Sequence, residues 1–136
     1  MASFLSRSGP LSFLLALVLA VAGLVHLIEP GAFLPFMPPY LPEPVFLIYF
    51  TGVLELFAAV GLRSPGLRQK TAWWLVAYFV ALWPVHFHAA ANSIPVFGLT
   101  SPAFLWGRTA FQIVFIAWAA WIAILARREG LGPLHR

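Results

Sequence analysis

Residues 71–107 read TAWWLVAYFVALWPVHFHAAANSIPVFGLTSPAFLWG, and no Asp, Glu, Lys or Arg occurs among them. A bilayer-crossing helix needs about 20 predominantly apolar residues at a rise of 1.5 Å each. The run is too long for one such helix and long enough for two. Its polar punctuation, Asn92-Ser93-Ile94-Pro95 and Ser101-Pro102, marks the break. Two membrane helices are therefore predicted at about 72–91 and 103–126, the second passing Arg108 into the charge-free stretch Thr109 to Ala126.

The same reading extends towards the N-terminus. Ser8 to Ile28 is charge-free between Arg7 and Glu29, and Pro44 to Leu62 is broken only by Glu55. These runs predict further spans at about 11–29 and 44–62. Membrane β-strands would be about 10 residues long with dyad alternation, which these runs lack. Of the twelve prolines only Pro84 falls inside a span, and Pro30, Pro35, Pro38, Pro39 and Pro42 crowd the first connection. The expected fold is all-α, a single membrane domain over residues 1–136 built as an antiparallel bundle of four transmembrane helices.

Composition agrees. The chain is 62% hydrophobic and 9% charged, against about 45–50% and about 25% in soluble domains. So few charges cannot coat a water-facing surface, and a nucleic-acid module is disfavoured despite the net charge of +4. The absence of cysteine excludes disulfides, thiol redox chemistry and thiolate metal sites. Arg7, Arg63, Arg68, Lys70, Arg127, Arg128 and Arg136 all fall on one side of the predicted bundle, and the first and third connections carry no cation. The positive-inside rule then places both termini in the cytoplasm. Arg7, an apolar core and Ala20-Val21-Ala22 imitate a cleavable signal. The apolar run to Ile28 exceeds the usual 7–15-residue core of such signals, however, and reads as a first span.

Ionisable groups inside spans carry the functional information, since each costs about 2.5–3.5 kcal/mol at a helix centre. They are His26, Glu55, His86, His88 and Arg108, with Gln112 one turn beyond Arg108. By helix rise His26 lies about 5 Å deep, the other two histidines about 5–8 Å, Arg108 about 8 Å, Gln112 about 14 Å and Glu55 about 16 Å. All fall in the outer half, which predicts one polar cluster there above an apolar inner half. The Gly52, Glu55, Ala59 stripe turns Glu55 into the bundle, because small residues mark helix contacts in membranes. His86 and His88 stand about 200° apart on a helix, and the small stripe Ala77, Ala81, Pro84, Ala91 favours His88 as the inward one. Glu55 is expected to pair with Arg108 or a histidine, with Gln112 bridging the gap. Against these readings stand plainer ones: Arg108 is shallow enough to snorkel, Glu55 can pack as a neutral acid, and a Glu55–Arg108 pair can be a structural brace. The proline-rich connection, with Phe33, Leu34, Phe36, Met37, Tyr40 and Leu41, is expected to be ordered over the outer mouth of the bundle.

The string His26-Leu27-Ile28-Glu29-Pro30, then Phe33, Pro38, Tyr40-Leu41-Pro42-Glu43-Pro44, Gly52, Glu55 and Gly61-Leu62, resembles the DoxX-like membrane family. The resemblance continues through Arg68, Pro84 and Trp106-Gly107-Arg108 to Gln112, and spans about residues 15–125. Where that family often has Pro-Ala-Asn in the third helix, this chain has Pro84-Val85-His86, so the resemblance favours His86 over His88. It implies a four-helix bundle of the bacterial inner membrane. Among its members are subunits of a thiosulfate:quinone oxidoreductase, proteins that accompany oxidative-stress enzymes, and a distant animal branch that assists receptor assembly.

Three functions follow as expectations. The first is an accessory membrane subunit of redox metabolism, holding a quinone or lipid-like molecule among His26, Glu55, His86, His88, Arg108 and Gln112, with electrons supplied by a partner redox subunit. The second is a non-catalytic assembly or chaperone subunit whose cluster only braces the bundle. The third is a b-type haem held by His26 and one of His86 and His88. No metal site is expected.

Overall fold

A computed structural model describes residues 7–130. It consists of four long helices: α1 (Ser8–Ile28), α2 (Pro44–Arg63), α3 (Arg68–Ala91) and α4 (Pro102–Gly130). Each is long and apolar enough to cross a membrane, and no strand occurs among the described residues beyond an isolated bridge between Val96 and Leu99. The protein is a multi-pass membrane protein by this criterion. The spans match the sequence reading closely at α2, while α1 and α3 begin earlier than expected and α4 runs on past Ala126.

The helices associate as two close hairpins, α1 with α2 and α3 with α4, which meet along narrower seams. The first hairpin closes through glycines: a methyl group built on Gly23 would lie 2.7 Å from the Gly52 carbonyl oxygen, and one on Gly52 would lie 2.8 Å from the His26 Cβ. Backbones this close set His26 and Glu55 side by side. The second hairpin is stitched by side chains reaching backbone. Trp83 Nε1 donates to the Thr109 carbonyl at 2.8 Å, and Gln112 Nε2 to the Phe79 carbonyl at 2.9 Å. The Thr109 hydroxyl lies 2.9 Å from the Leu105 carbonyl and 3.2 Å from that of His86.

All four helices share an apolar core at the end of the bundle that carries Ser8 and Gly130, here the inner end as against the outer end opposite. There Leu15, Leu62, Leu75 and Ile122 are fully buried. Arg68 is buried there too, at 3% exposure. Its Nε donates to the Leu62 carbonyl at 2.9 Å and its Nη1 to the Ser8 hydroxyl at 3.0 Å. Ser8 in turn donates its backbone N–H and its hydroxyl to the Glu129 carboxylate, at 2.9 and 2.5 Å. A carboxylate at the first turn of α1 satisfies an amide that has no partner within its own helix and complements the helix dipole. This network explains why α3 starts at Arg68: the cation that reads as a loop residue is the first residue of the helix, held by neighbours distant in sequence.

A second, smaller apolar cluster of Phe36, Ala89, Ala90, Val96 and Leu105 caps the outer end. The proline-rich connection enters it through two short 3-10 turns, Pro30–Ala32 and Leu34–Phe36. The third connection enters through Val96 and Phe97. Phe33, Phe36 and Phe97 meet edge to face with centroids 5.7–5.9 Å apart. The expected cover over the outer mouth is therefore present, and both outer connections build it.

Candidate functional site

Between the inner core and the outer cap the hairpins leave a cavity of about 480 Å³, lined by residues of all four helices and of the proline-rich connection. Most of the lining is apolar, including Leu19, Leu47, Phe79, Leu82 and Phe115. Tyr40, Ala81 and Pro84 line it and are also exposed on the outer surface, so the cavity opens sideways between the connection and α3. Pro84 has no amide to give the Val80 carbonyl, which loosens α3 along this opening.

Two separate polar groups face the cavity. On one side, the Tyr78 hydroxyl donates to Glu55 Oε1 at 2.8 Å. The Nδ1 of His26 stands 3.3 Å from Glu55 Oε2 and 2.7 Å from the Ala22 carbonyl oxygen. One Nδ1 proton cannot serve both fully, and the shorter contact takes it: His26 is anchored to its own helix and only flanks Oε2, which has no full hydrogen bond. Phe33 stacks on the imidazole, centroids 3.9 Å apart, and fixes its plane. Glu55 is only 5% exposed, so a carboxyl from α2 joins α1 to α3.

On the other side stand Arg108 and His86. The Arg108 guanidinium lies 5.3 Å from the centre of the Phe36 ring, a cation–π distance. It makes no hydrogen bond or ion pair with any described residue. His86 lines the same cavity, and its buried Nδ1 has no hydrogen-bond partner. The Thr109 contact to the His86 carbonyl puts the two side chains at one level across the α3–α4 seam.

The structure thus brings His26, Glu55, His86, Arg108 and Gln112 to one cavity. Of the two partners expected for Glu55 a histidine, His26, stands beside it and Arg108 does not, while Tyr78 supplies its hydrogen bond. Gln112 lines the cavity but spends its amide on the Phe79 carbonyl, so it bridges helices and not the two ionisable groups. His88 lies outside the cavity lining; Asn92 Nδ2 donates to its carbonyl at 2.9 Å, and Tyr40 meets its ring edge-on at 6.2 Å. The small stripe that pointed to His88 is exposed at Ala77, Ala81, Pro84 and Ala91, with Ala81 and Pro84 at the cavity opening, so it does not mark a contact with another helix. Tyr78 was missed, although a lone phenol in the middle of an apolar span is a signal that a buried acceptor lies opposite. Ser8 and Glu129 were missed for another reason: each reads as an ordinary helix-end residue until the fold joins them.

No three His, Cys, Asp or Glu residues among the described ones gather as a metal site would need. No curated protein and no solved structure matches this chain. A family described as a domain of unknown function, DUF8561, matches residues 15–123. That span is most of the sequence and takes in α2, α3, the greater part of α1 and α4 and every residue of the cavity, and the chain belongs to the DUF8561 family.

Proposed function

We propose that this protein is an accessory membrane subunit that holds a quinone or other lipid-like molecule in the cavity between its hairpins. The observation that carries the reading is the cavity itself: mostly apolar walls, hydrogen-bonding groups on two sides, and an opening between the proline-rich connection and a membrane-crossing helix. A molecule with a polar head and an apolar tail matches such a site, since pockets of about 300–1,000 Å³ with few polar groups suit ligands of that size. The Arg108 guanidinium and an Nδ1–H of His86 offer donors to a carbonyl on one side. The Glu55 carboxyl, with Tyr78 and His26 around it, offers a proton exchanger on the other. Electrons would come from a partner redox subunit. The similarity to DoxX-like proteins supports a quinone over other lipids and the bacterial inner membrane as the location, and the one-sided cations support cytoplasmic termini.

Purification in mild detergent, organic extraction and mass spectrometry test this directly. A quinone or a defined lipid retained by the wild type and absent from Ala22→Phe, which fills the cavity from α1, is the expected result. An empty extract from protein that keeps its thermal transition would refute it.

A second reading, an assembly subunit in which the polar groups only brace the bundle, is favoured by the Glu55–Tyr78 and Gln112–Phe79 bonds, because these are satisfied within the protein. A b-type haem would now rest on His26 and His86, the two histidines that share the cavity. A Soret band in the purified protein decides that case.

A further inference from the structure

Arg108 is a cation in a membrane-crossing helix, and no described residue supplies it with a counter-charge. Glu55 is engaged by Tyr78 on the opposite wall, and Glu129, the other acid within the helices, is bound to Ser8 at the far end of the bundle. Snorkelling towards the lipid surface is blocked by Phe36, which the guanidinium lies against and which is itself buried at 3% exposure under the outer cap. The cation is thus held beneath the lid and faces the cavity. Beside it the buried Nδ1 of His86 has no partner either. A guanidinium and an imidazole N–H at one level form a donor set for an oxyanion, because charge-assisted bonds from Arg are the strong ones and its fork suits two-oxygen heads. Buried polar atoms without partners are rare enough in proteins that each asks for an explanation. Here the buried Nδ1 of His86 is one, and it stands with the half-buried Arg108 guanidinium on the lining of one open cavity.

We infer that the cavity takes an amphiphile whose head bears an anionic oxygen, a carboxylate or a phosphate, bound between Arg108 and His86, with its chain leaving through the opening beside Tyr40, Ala81 and Pro84. This rests on the reading of the cavity as an amphiphile site and selects its lipid-like branch over the quinone, whose carbonyl head carries no charge. The preference is for charge at the head, so the free acid is distinguished from its own ester, which has the same chain and almost the same volume.

The test uses the full chain reconstituted in phosphatidylcholine nanodiscs, with labelled palmitate, palmitoyl lysophosphatidate and methyl palmitate as probes in equilibrium binding. Palmitate or lysophosphatidate should bind at least about tenfold more tightly than the ester, a difference of about 1.4 kcal/mol. Which of the two acids binds identifies the head as carboxylate, phosphate or either. Arg108→Gln should abolish the preference and Arg108→Lys should keep part of it, since the charge stays and the fork is lost. Should Arg108→Gln fail to fold, the wild-type comparison of acid with ester and the Arg108→Lys variant still decide. An ester that binds as tightly as the acids, or a preference that survives in Arg108→Gln, overturns the inference. Ester binding that Ala22→Phe removes would in that event leave the amphiphile cavity standing, whereas no binding of any probe, nor of a decyl-quinone, removes both readings.

Discussion

Tyr78→Phe removes one oxygen and nothing else, and the structure fixes what that oxygen does. It donates to Glu55 Oε1 at 2.8 Å, with Tyr78 at 8% and Glu55 at 5% exposure. The hydrogen bond is therefore buried at both ends. In soluble proteins, leaving a buried acceptor without its donor costs about 1–3 kcal/mol. Inter-helix bonds in membranes average about 0.6 kcal/mol and reach about 1.7, because the dissociated helices find other partners. Glu55 has no such freedom once the Gly23–Gly52 contact has fixed its helix against α1. The upper part of the membrane range, about 1–2 kcal/mol, is therefore the expected loss. Glu55→Leu alone should cost a similar amount by stranding the phenol. The double variant should cost clearly less than the sum, with a coupling of about 0.5–2 kcal/mol. The same cycle on Glu55 and Arg108 should be additive within about 0.3–0.5 kcal/mol, since those residues stand on different walls and share no partner. Reversible denaturation in mixed micelles, followed by tryptophan fluorescence, measures both cycles. Additivity in the Tyr78 cycle, or strong coupling in the Arg108 cycle, would show that the polar groups are wired differently from the arrangement described.

Gly52→Ala places a methyl 2.8 Å from the His26 Cβ and 3.0 Å from the Gly23 carbonyl oxygen, so α1 and α2 must separate; a loss of about 1–3 kcal/mol is expected, and an unchanged denaturation midpoint would show that the seam yields freely. Phe36→Ala empties the centre of the outer cap and should cost about 3 kcal/mol or more, with faster protease cleavage between residues 30 and 43; resistance equal to wild type would mean that the connection is held elsewhere. Arg68→Gln loses charge-assisted bonds to Ser8 and the Leu62 carbonyl and should lower stability by about 1.5–3 kcal/mol, whereas Lys70→Gln, on an exposed side chain, should leave it unchanged in the same denaturation assay. A reporter fused after Arg136 should be active on the cytoplasmic side; activity confined to the other face would invert the topology.

The number of spans and the positions of their breaks were legible because the signals are local: charge-free runs, and Pro and Asn punctuation between them. The inward face of α2 was legible as well, since Gly52 marks a close approach and Glu55 lies on the same stripe. The inward face of α3 was not. A stripe of alanines in a membrane helix has two meanings, a helix contact or a thin strip facing lipid, and sequence alone does not separate them. Here it is exposed, with Ala81 and Pro84 at the cavity opening, and the decisive placement of His86 comes from the α3–α4 stitching by Trp83, Thr109 and Gln112, which is tertiary. The choice between Arg108 and a histidine as the partner of Glu55, and the part played by Tyr78, were illegible for a related reason. Depth arithmetic orders groups along the membrane normal but says nothing about which wall of a bundle they occupy. Arg68 failed in the opposite direction: its charge implied a loop, and burial among Ser8 and the Leu62 carbonyl made it a helix residue.

The unequal seams of the bundle have an energetic consequence that bears on what the protein is for. A void of about 480 Å³, left truly empty, would cost on the order of 10 kcal/mol at about 24 cal/mol per Å³, as much as the whole stability of an ordinary domain, about 5–15 kcal/mol. The inner half shows that this sequence can build a four-helix core in which Leu15, Leu62, Leu75 and Ile122 leave no exposed surface. The outer half uses the same helices and does not close. Water is a poor filler, because each buried water needs about three polar partners and the lining away from the Glu55 and Arg108 walls is hydrocarbon and aromatic. Lipid chains fill the apolar part at little cost, and the side opening by Pro84 admits them from the bilayer. They leave Arg108 and His86 unsatisfied unless the molecule also carries an acceptor at its head. Of the fillers available inside a membrane, only an amphiphile answers both the volume and the polar atoms, which is why the cavity reads as a binding site rather than a packing fault.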